Sequence, residues 1–223
     1  ASLLATNTYD NNIVTINTGT TIQISGSPIG LASASTVTNN GILISTGLTY
    51  AYGISFGANG RSQNGGNTVT NTGSITTDST NADGIMISAT KASSTANTIS
   101  NTGTISTTGS GASGITLKSG TSSSSQINTI TNTNTGIITV TGSNSIGIDV
   151  QGQANVTNNG TINAGTNGTA VTFENGTTKN GLSNSLTLGT GSSTIGAISF
   201  NNVNTAETLT FDGLINPTFS NSV

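Results

Sequence analysis

The sequence has no cysteine, no histidine and no tryptophan, and only 5% of its 223 residues are charged. Without cysteine and histidine, a zinc site with nitrogen and sulfur ligands, a disulfide framework and the Ser-His-Asp or Cys-His nucleophile systems are all excluded. Four Lys and Arg residues cannot neutralise a run of phosphates, so we expect no nucleic-acid binding. Uninterrupted apolar runs are very short, as in Ile42–Ile44, so we expect no transmembrane segment.

Three polar residue types dominate what is present. Thr, Asn and Ser supply 106 of the 223 residues and Gly another 30. Thr, Ile and Val favour strands, whereas helix-forming Glu, Lys, Gln and Met are scarce and Pro occurs only twice. The composition therefore predicts an all-β protein. Because the chain begins at Ala1, as a mature protein does after cleavage, we also expect export from the cell.

A five-residue pattern recurs along the chain: an apolar β-branched residue, a polar residue, Asn, a polar residue and Gly. A two-residue insertion lengthens one copy, and a shorter form occurs at Ile16–Gly19. The full copies begin at Val37, Val69, Ile99, Ile130 and Val156.

A second pattern, Gly-apolar-any-apolar, follows each Gly of the first after 10 to 12 residues, whereas the full period varies from 23 to 33. The spacing between the two patterns is nearly constant, whereas the rest of each repeat varies in length. This combination predicts a single-chain parallel β-solenoid, or β-helix, of about seven or eight coils. Variable stretches such as Gly57 to Asn67 and Lys91 to Thr98 are expected to be surface loops, where insertions cost little.

Strand alternation assigns the columns of this solenoid. The apolar residue and the Asn of each repeat point inward, so the Asn side chains are expected to form a ladder of amide hydrogen bonds. The Gly is expected to adopt positive φ at the turn. The predicted Asn ladder is Asn39, Asn71, Asn101, Asn132 and Asn158, and the predicted turn glycines are Gly41, Gly73, Gly103, Gly136 and Gly160.

The repeat pattern predicts three regions of the chain. Residues 13–185 form the solenoid repeats, and residues 186–223 form final coils and the terminus, since Leu186–Leu188 and Leu209–Phe211 alternate in the same way. Residues 1–12 lack the repeat and are expected to be an N-terminal cap or an exchanged strand. Leu3, Leu4 and Tyr9 would be the contact residues of such an assembly strand.

The strings Ile99-Ser-Asn-Thr-Gly-Thr-Ile105 and Gly114-Ile-Thr-Leu117 resemble the passenger domains of bacterial autotransporter adhesins, over about residues 13 to 215. The resemblance implies a right-handed β-helix, secretion, display on the bacterial cell surface, and a role in adhesion or scaffolding. Glycans or proteins of a host or of the cell surface would be the partners of such an adhesin.

The seven acidic residues are scattered, and we interpret them as solvated surface charge. Without a carboxylate cluster we expect no enzyme, no catalytic residue and no cofactor. Calcium binding at Asp78 and Asp83 is left open, although two carboxylates are few for that ion. Tyr50 and Tyr52 are expected to pack over the core, or alternatively to contact a sugar or a partner.

The favoured function is a secreted, non-enzymatic structural protein of the bacterial surface that assembles with itself end to end into a filament. A monomeric displayed adhesin is the alternative. A third possibility is ice binding by outward Thr columns, although Asn and Ser interrupt these. The columns are Thr36, Thr68, Thr98 and Thr129 beside Thr38, Thr70, Thr131 and Thr157.

Overall fold

A computed structural model of the chain describes residues 5–6, 10–57, 64–90, 95–119, 127–174, 183–201 and 207–213. Within these ranges the chain forms 23 β-strands and no helix. The strands stack into sheets of eight, eight and seven members, which we name A, B and C, and neighbouring strands pair in parallel. The predicted all-β parallel solenoid is therefore confirmed. Its right-handed sense stays a prediction from the resemblance.

Each coil begins in sheet B, whose strands contain the apolar residue and the Asn of the first repeat pattern. Alternating burial in these strands follows from their period of two, with one face toward the core and one toward solvent. Sheet B consists of β2 (Ile13–Ile16), β5 (Thr36–Asn39), β8 (Thr68–Asn71), β11 (Thr98–Asn101), β14 (Asn128–Asn132), β17 (Ala154–Asn158), β20 (Ser185–Leu188) and β23 (Thr208–Phe211).

Sheet C follows immediately after the glycine turn and carries one buried Ile or Leu in most coils. It consists of β3 (Thr21–Ser25), β6 (Ile42–Thr46), β9 (Ser74–Thr77), β12 (Thr104–Thr107), β15 (Ile137–Val140), β18 (Thr161–Asn163) and β21 (Ser193–Ile195).

Sheet A completes each coil with the second repeat pattern. It consists of β1 (Ala5–Thr6), β4 (Ile29–Leu31), β7 (Ile54–Phe56), β10 (Ile85–Ala89), β13 (Ile115–Ser119), β16 (Ile146–Gln151), β19 (Thr169–Glu174) and β22 (Ala197–Phe200). The order B, C, A occurs seven times in full. The described residues thus form seven complete coils, with β1 before them and β23 after them.

The longest connections between strands lie at the corner between sheets A and B. Every internal gap between the described ranges falls after a sheet A strand and before the next sheet B strand. Parts of the predicted loops at residues 57–67 and 91–98 lie outside the described residues. The corner between sheets B and C has only two or four residues between strands, whereas the corner between sheets C and A has one to seven.

The core is a thin column of aliphatic side chains enclosed by the three sheets. Val37, Ile99 and Val156 of sheet B are at most 1% exposed, as the alternation predicts. Phe173 stacks on Phe200 of the next coil, with ring centroids 5.1 Å apart. Each buried aliphatic side chain contributes about 1.5–3 kcal/mol to folding, so stability is distributed along the stack.

The expectation of positive φ at the turn glycines is wrong. Positive φ occurs at other glycines, such as Gly19 and Gly47. The turn glycines are required for a different reason, because a Cβ on Gly103 would overlap the carbonyl oxygen of Gly73 in the coil below. Gly73, Gly136 and Gly160 show the same close approach to backbone oxygens, and Gly41 to the carbonyl of Thr20.

The N-terminal region is described only in part. Ala5 and Thr6 pair in parallel with Ile29 and Gly30, which makes β1 the first strand of sheet A. Leu3, Leu4 and Tyr9, the residues predicted to form an assembly strand, lie outside the described residues.

Candidate functional site

Five buried asparagines form a continuous ladder through the solenoid at the corner between sheets B and C. The side chains are completely buried, and each Nδ2 donates to the Oδ1 of the next asparagine at 2.8–2.9 Å. Nδ2 also contacts backbone carbonyls of the following sheet C strands, such as that of Thr104 from Asn71 at 3.3 Å. At the last member, the Nδ2 of Asn158 donates to the Thr194 hydroxyl at 3.0 Å. The ladder satisfies polar groups inside the core, so its role is structural.

A second buried asparagine column lies at the beginning of sheet B. Asn67 donates to Asn97, and Asn97 to Asn128, at 3.0 and 2.9 Å. The same Oδ1 atoms accept the backbone N–H of the preceding member. These asparagines were not among the predicted ladder residues, although each precedes an inward apolar residue by two positions and alternation places it inside.

The two ends of the solenoid leave the core incompletely covered. Val14 and Ile24 at one end, and Phe200 and Leu209 at the other, are only partly buried, unlike their counterparts in the central coils. Sheet A has one strand more than the complete coils at the β1 end, and sheet B has one more at the β23 end. Both edge strands of sheet B, β2 and β23, consist of uncharged residues.

The outer face of sheet A carries a pocket of about 240 Å³. Parallel pairing aligns Met86 with Thr116 and Thr116 with Asp149, so three coils contribute to its floor. Its lining, which we call the sheet A pocket, is Tyr50, Tyr52, Asn81, Asp83, Met86, Gly111, Ser113, Thr116, Lys118, Asp149 and Gln151.

Two carboxylates that are far apart in sequence meet in this pocket. Asp83 is 7% exposed and Asp149 is 6% exposed, so the interpretation of these two as solvated surface charges is wrong. Asp83 accepts a hydrogen bond from the Ser113 backbone N–H at 2.8 Å, and Asp149 accepts one from Gln151 Nε2 at 2.8 Å. The second oxygen of Asp149, Oδ1, is buried and has no hydrogen-bond partner.

Burial raises the pKa of both acids. The pKa of Asp83 rises to about 7, because desolvation outweighs the hydrogen bonds from Ser113 and Thr116. The pKa of Asp149 rises to about 6, again through desolvation, opposed by Gln151 and Lys118 and reinforced by Glu174. Desolvation and the nearby Asp83 raise the pKa of Tyr52 to about 12. At neutral pH the pocket therefore holds carboxyl groups that readily gain or lose a proton.

Asp78 and Asp83, the two carboxylates at which calcium binding was left open, do not share a site. Asp78 is exposed and its carboxylate accepts from Ser79 Oγ at 2.9 Å, whereas Asp83 is buried in the pocket. Among the described residues, no three Asp, Glu, His or Cys side chains are grouped to hold a metal ion. In the same part of the chain, no helix is long and apolar enough to span a membrane.

The outward Thr side chains of sheet B stand in two straight columns. Pairing aligns Thr36, Thr68, Thr98 and Thr129 in one column, and Thr15, Thr38, Thr70, Ser100, Thr131, Thr157, Thr187 and Thr210 in the other. The variable loops precede these strands at the corner between sheets A and B, and strand pairing keeps the two columns in register.

Comparison with known proteins finds no protein-family model, no curated protein and no solved structure that matches this chain.

Proposed function

We propose that this chain is a secreted, non-enzymatic structural protein of the bacterial surface whose copies stack end to end into a filament. The observation that supports stacking is the complementary shape of the two ends. β1 extends sheet A beyond the first complete coil, and β23 extends sheet B beyond the last one. When the β23 end of one copy meets the β1 end of the next, the two extra strands occupy the same level and supply the sheet A and sheet B sides of a shared coil.

Stacking would also cover the exposed parts of the core. In the shared arrangement β2 of the second copy follows β23 of the first, which places Val14 above Leu209 and Ile16 above Phe211. The first pair continues the inward apolar column of sheet B, in which Leu186 already pairs with Leu209. The second pair continues the column of the Asn ladder, whose last members are Leu188 and Phe211. Burial of apolar area supplies the driving force, at roughly 25 cal/mol per Å².

The backbone at the β2 edge is oriented for such pairing. Thr36 and Asn40 donate their N–H groups to the carbonyls of Asn12 and Ile16. The backbone carbonyls of Asn12 and Ile16 therefore point toward the second coil. Ile13 and Thr15 consequently direct their backbone groups toward the open side of the sheet. Edge strands that must remain unpaired are commonly protected by Lys or Pro, and neither residue occurs in β2.

Thr15→Pro tests the stacking directly. Proline removes an N–H group that points out of the coil and introduces its ring at the edge, whereas the bonds from β5 to β2 remain. We expect filaments to be lost in electron micrographs, with the circular dichroism spectrum of the monomer preserved. Thr15→Ser keeps the donor and is the matched control. Filaments of Thr15→Pro equal in number and length to those of the control would contradict the proposal.

Deletion of residues 1–9 removes β1 but leaves Asn12 to accept its bond from Thr36. We expect the shortened chain to remain folded and to stack more weakly, because the shared coil loses its sheet A strand. Unchanged filaments would contradict the shared coil. A separate outcome concerns the unmodified chain. If that chain stays monomeric at high concentration, the displayed monomeric adhesin becomes the better proposal.

Ice binding is a second candidate function, supported by the register of the Thr columns on sheet B. Along a strand the two columns lie about 6.6 Å apart, and successive coils about 4.8 Å apart, which gives an aligned array of hydroxyl and methyl groups that Ser100 and Asn155 interrupt. Thermal hysteresis of the purified protein tests this function. Thr70→Lys should abolish the hysteresis, whereas Thr76→Lys on the outer face of sheet C should leave it unchanged. Absence of hysteresis in the unmodified protein would exclude this candidate.

A further inference from the structure

The sheet A pocket contains a residue whose backbone conformation is costly. Tyr50, at φ 62°, occupies the third position before the glycine that begins the second repeat pattern. Other coils place Asn81, Gly111 and Asn144 at this position, all at positive φ and all of types that tolerate it. A left-handed tyrosine costs roughly 1–2 kcal/mol relative to its usual conformation. Such strain is typically retained where a side chain has a function.

A second departure from the repeat lies two residues further along. The position directly before the same glycine is Tyr52 in one coil, Asp83 in the next and Ser113 in the third. The rings of Tyr50 and Tyr52 lie 6.4 Å apart and are tilted by 52°. Tyr50 is 58% exposed, so it offers part of its ring to a ligand at the rim of the pocket.

The third observation is the unsatisfied acceptor. Only 6% of the surface of Asp149 is exposed, and its Oδ1 has no hydrogen-bond partner. A buried acceptor without a donor costs about 1–3 kcal/mol. A ligand hydroxyl that donates to the Asp149 carboxyl, after a small displacement of the surrounding side chains, would recover this energy.

The chemistry of the lining selects the ligand class. Carboxylates and the Gln151 amide accept hydrogen bonds from hydroxyl groups, Lys118 donates, and the Tyr rings pack against C–H faces. Two acids disfavour an anionic ligand, while Lys118 beside them disfavours a metal cation. The volume of about 240 Å³ is below the roughly 300–1,000 Å³ of pockets for drug-sized molecules, so one small ring is accommodated.

We propose that the sheet A pocket binds one sugar residue of a neutral glycan. The sugar ring packs beside Tyr50 and Tyr52, and its hydroxyl groups donate to Asp83 and Asp149. This site lies on the lateral surface, away from the ends of the solenoid, so it does not depend on the proposed stacking.

Tyrosine fluorescence provides a direct assay, since the chain contains three tyrosines and no tryptophan. In a Tyr9→Phe background both remaining tyrosines line the pocket. The probes are glucose, galactose, mannose, xylose and N-acetylglucosamine with their short oligomers, and a galacturonate hexamer as the charged comparison. We expect saturable emission changes with at least one neutral sugar, and a loss of at least about tenfold in affinity in Asp149→Asn. Asp78→Asn, an exposed carboxylate outside the pocket, is the matched control.

Tyr50→Asn separates a binding role from a structural one. Asparagine is the residue that other coils use at this position, so the change should raise the thermal midpoint by relieving strain and at the same time weaken sugar binding. No response to any neutral sugar at about 10 mM, tenfold above a weak ~1 mM affinity, would overturn the proposal. Tighter binding of the galacturonate hexamer than of every neutral sugar would overturn it as well, as would unchanged affinity in Asp149→Asn.

Discussion

Asn101 shows how a single residue ties three coils together. Its Oδ1 accepts from Asn71 and its Nδ2 donates to Asn132, both at 2.8 Å and both inside the protein. Amide side chains suit this position because each carries a donor and an acceptor, so the same residue can continue the ladder in both directions. Apolar residues at this corner would leave the backbone carbonyls that Nδ2 contacts without a donor.

Asn101→Ala is expected to destabilise the solenoid by about 2–4 kcal/mol. The substitution leaves buried groups of Asn71 and Asn132 without their amide partner, and each such group costs about 1–3 kcal/mol. Denaturant unfolding followed by circular dichroism measures the change. Asn134→Ala, in an exposed turn two residues beyond a ladder position, should shift stability by less than about 0.5 kcal/mol. Equal shifts in the two variants would contradict the role assigned to the ladder.

The buried acids predict an unusual pH dependence of stability. The pKa of Asp83 in the folded protein is about 7, against about 3.8 for the free side chain, so the folded state holds the proton more tightly. The contribution of Asp83 to stability is therefore greatest at low pH, and it falls as pH rises from about 4 to about 7. Asp149, with a pKa of about 6, acts in the same direction. Thermal midpoints should be lower at pH 8 than at pH 5.

Asp83→Asn should reduce this pH dependence and raise the thermal midpoint at pH 8, because the amide need not ionise. Asp78→Asn is the comparison at an exposed site. A midpoint that rises from pH 5 to pH 8 in the unmodified protein, or the same slope in Asp83→Asn, would contradict the burial of this carboxyl group.

At the scale of elements, the sequence predicts the repeating parts well and the deviations poorly. The Val37, Val69 and Ile99 column and the Asn residues two positions later follow from alternation alone. The partnership of Asp83 with Asp149 does not, because it depends on sheet A strands two coils apart, with β13 between them. The reason for the turn glycines was also inaccessible, since the carbonyl that a Cβ would meet belongs to the preceding coil.

Two glycine substitutions distinguish the reasons for which glycine is needed. Gly103→Ala would press a Cβ against the Gly73 carbonyl, so coils must separate and we expect a loss of several kcal/mol, of the order of the largest single-site effects. Gly165 has φ +72° and open space around its Cα. Gly165→Ala should therefore cost only the left-handed penalty of about 1–2 kcal/mol. Equal losses of thermal stability would show that the close approach is not the cause.

At the scale of the whole molecule, the solenoid is a rod whose lateral surfaces on sheets A and B differ chemically. Sheet B presents Thr columns, sheet A presents the pocket, and the ends present open strands. Stacking would repeat the pocket along one line of the filament, so weak binding of single sugars would be reinforced by multivalency on a glycan surface.

The axial repeat of the assembled protein tests the central claim most directly. Each copy contributes eight levels to sheets A and B, and at about 4.8 Å per level the repeat is about 38 Å. Electron microscopy of the purified protein at high concentration should show filaments with this repeat. Their strands should run perpendicular to the filament axis and give a layer line at about 4.8 Å. Particles that remain single rods, or filaments whose axial repeat differs from eight levels, would contradict the shared coil.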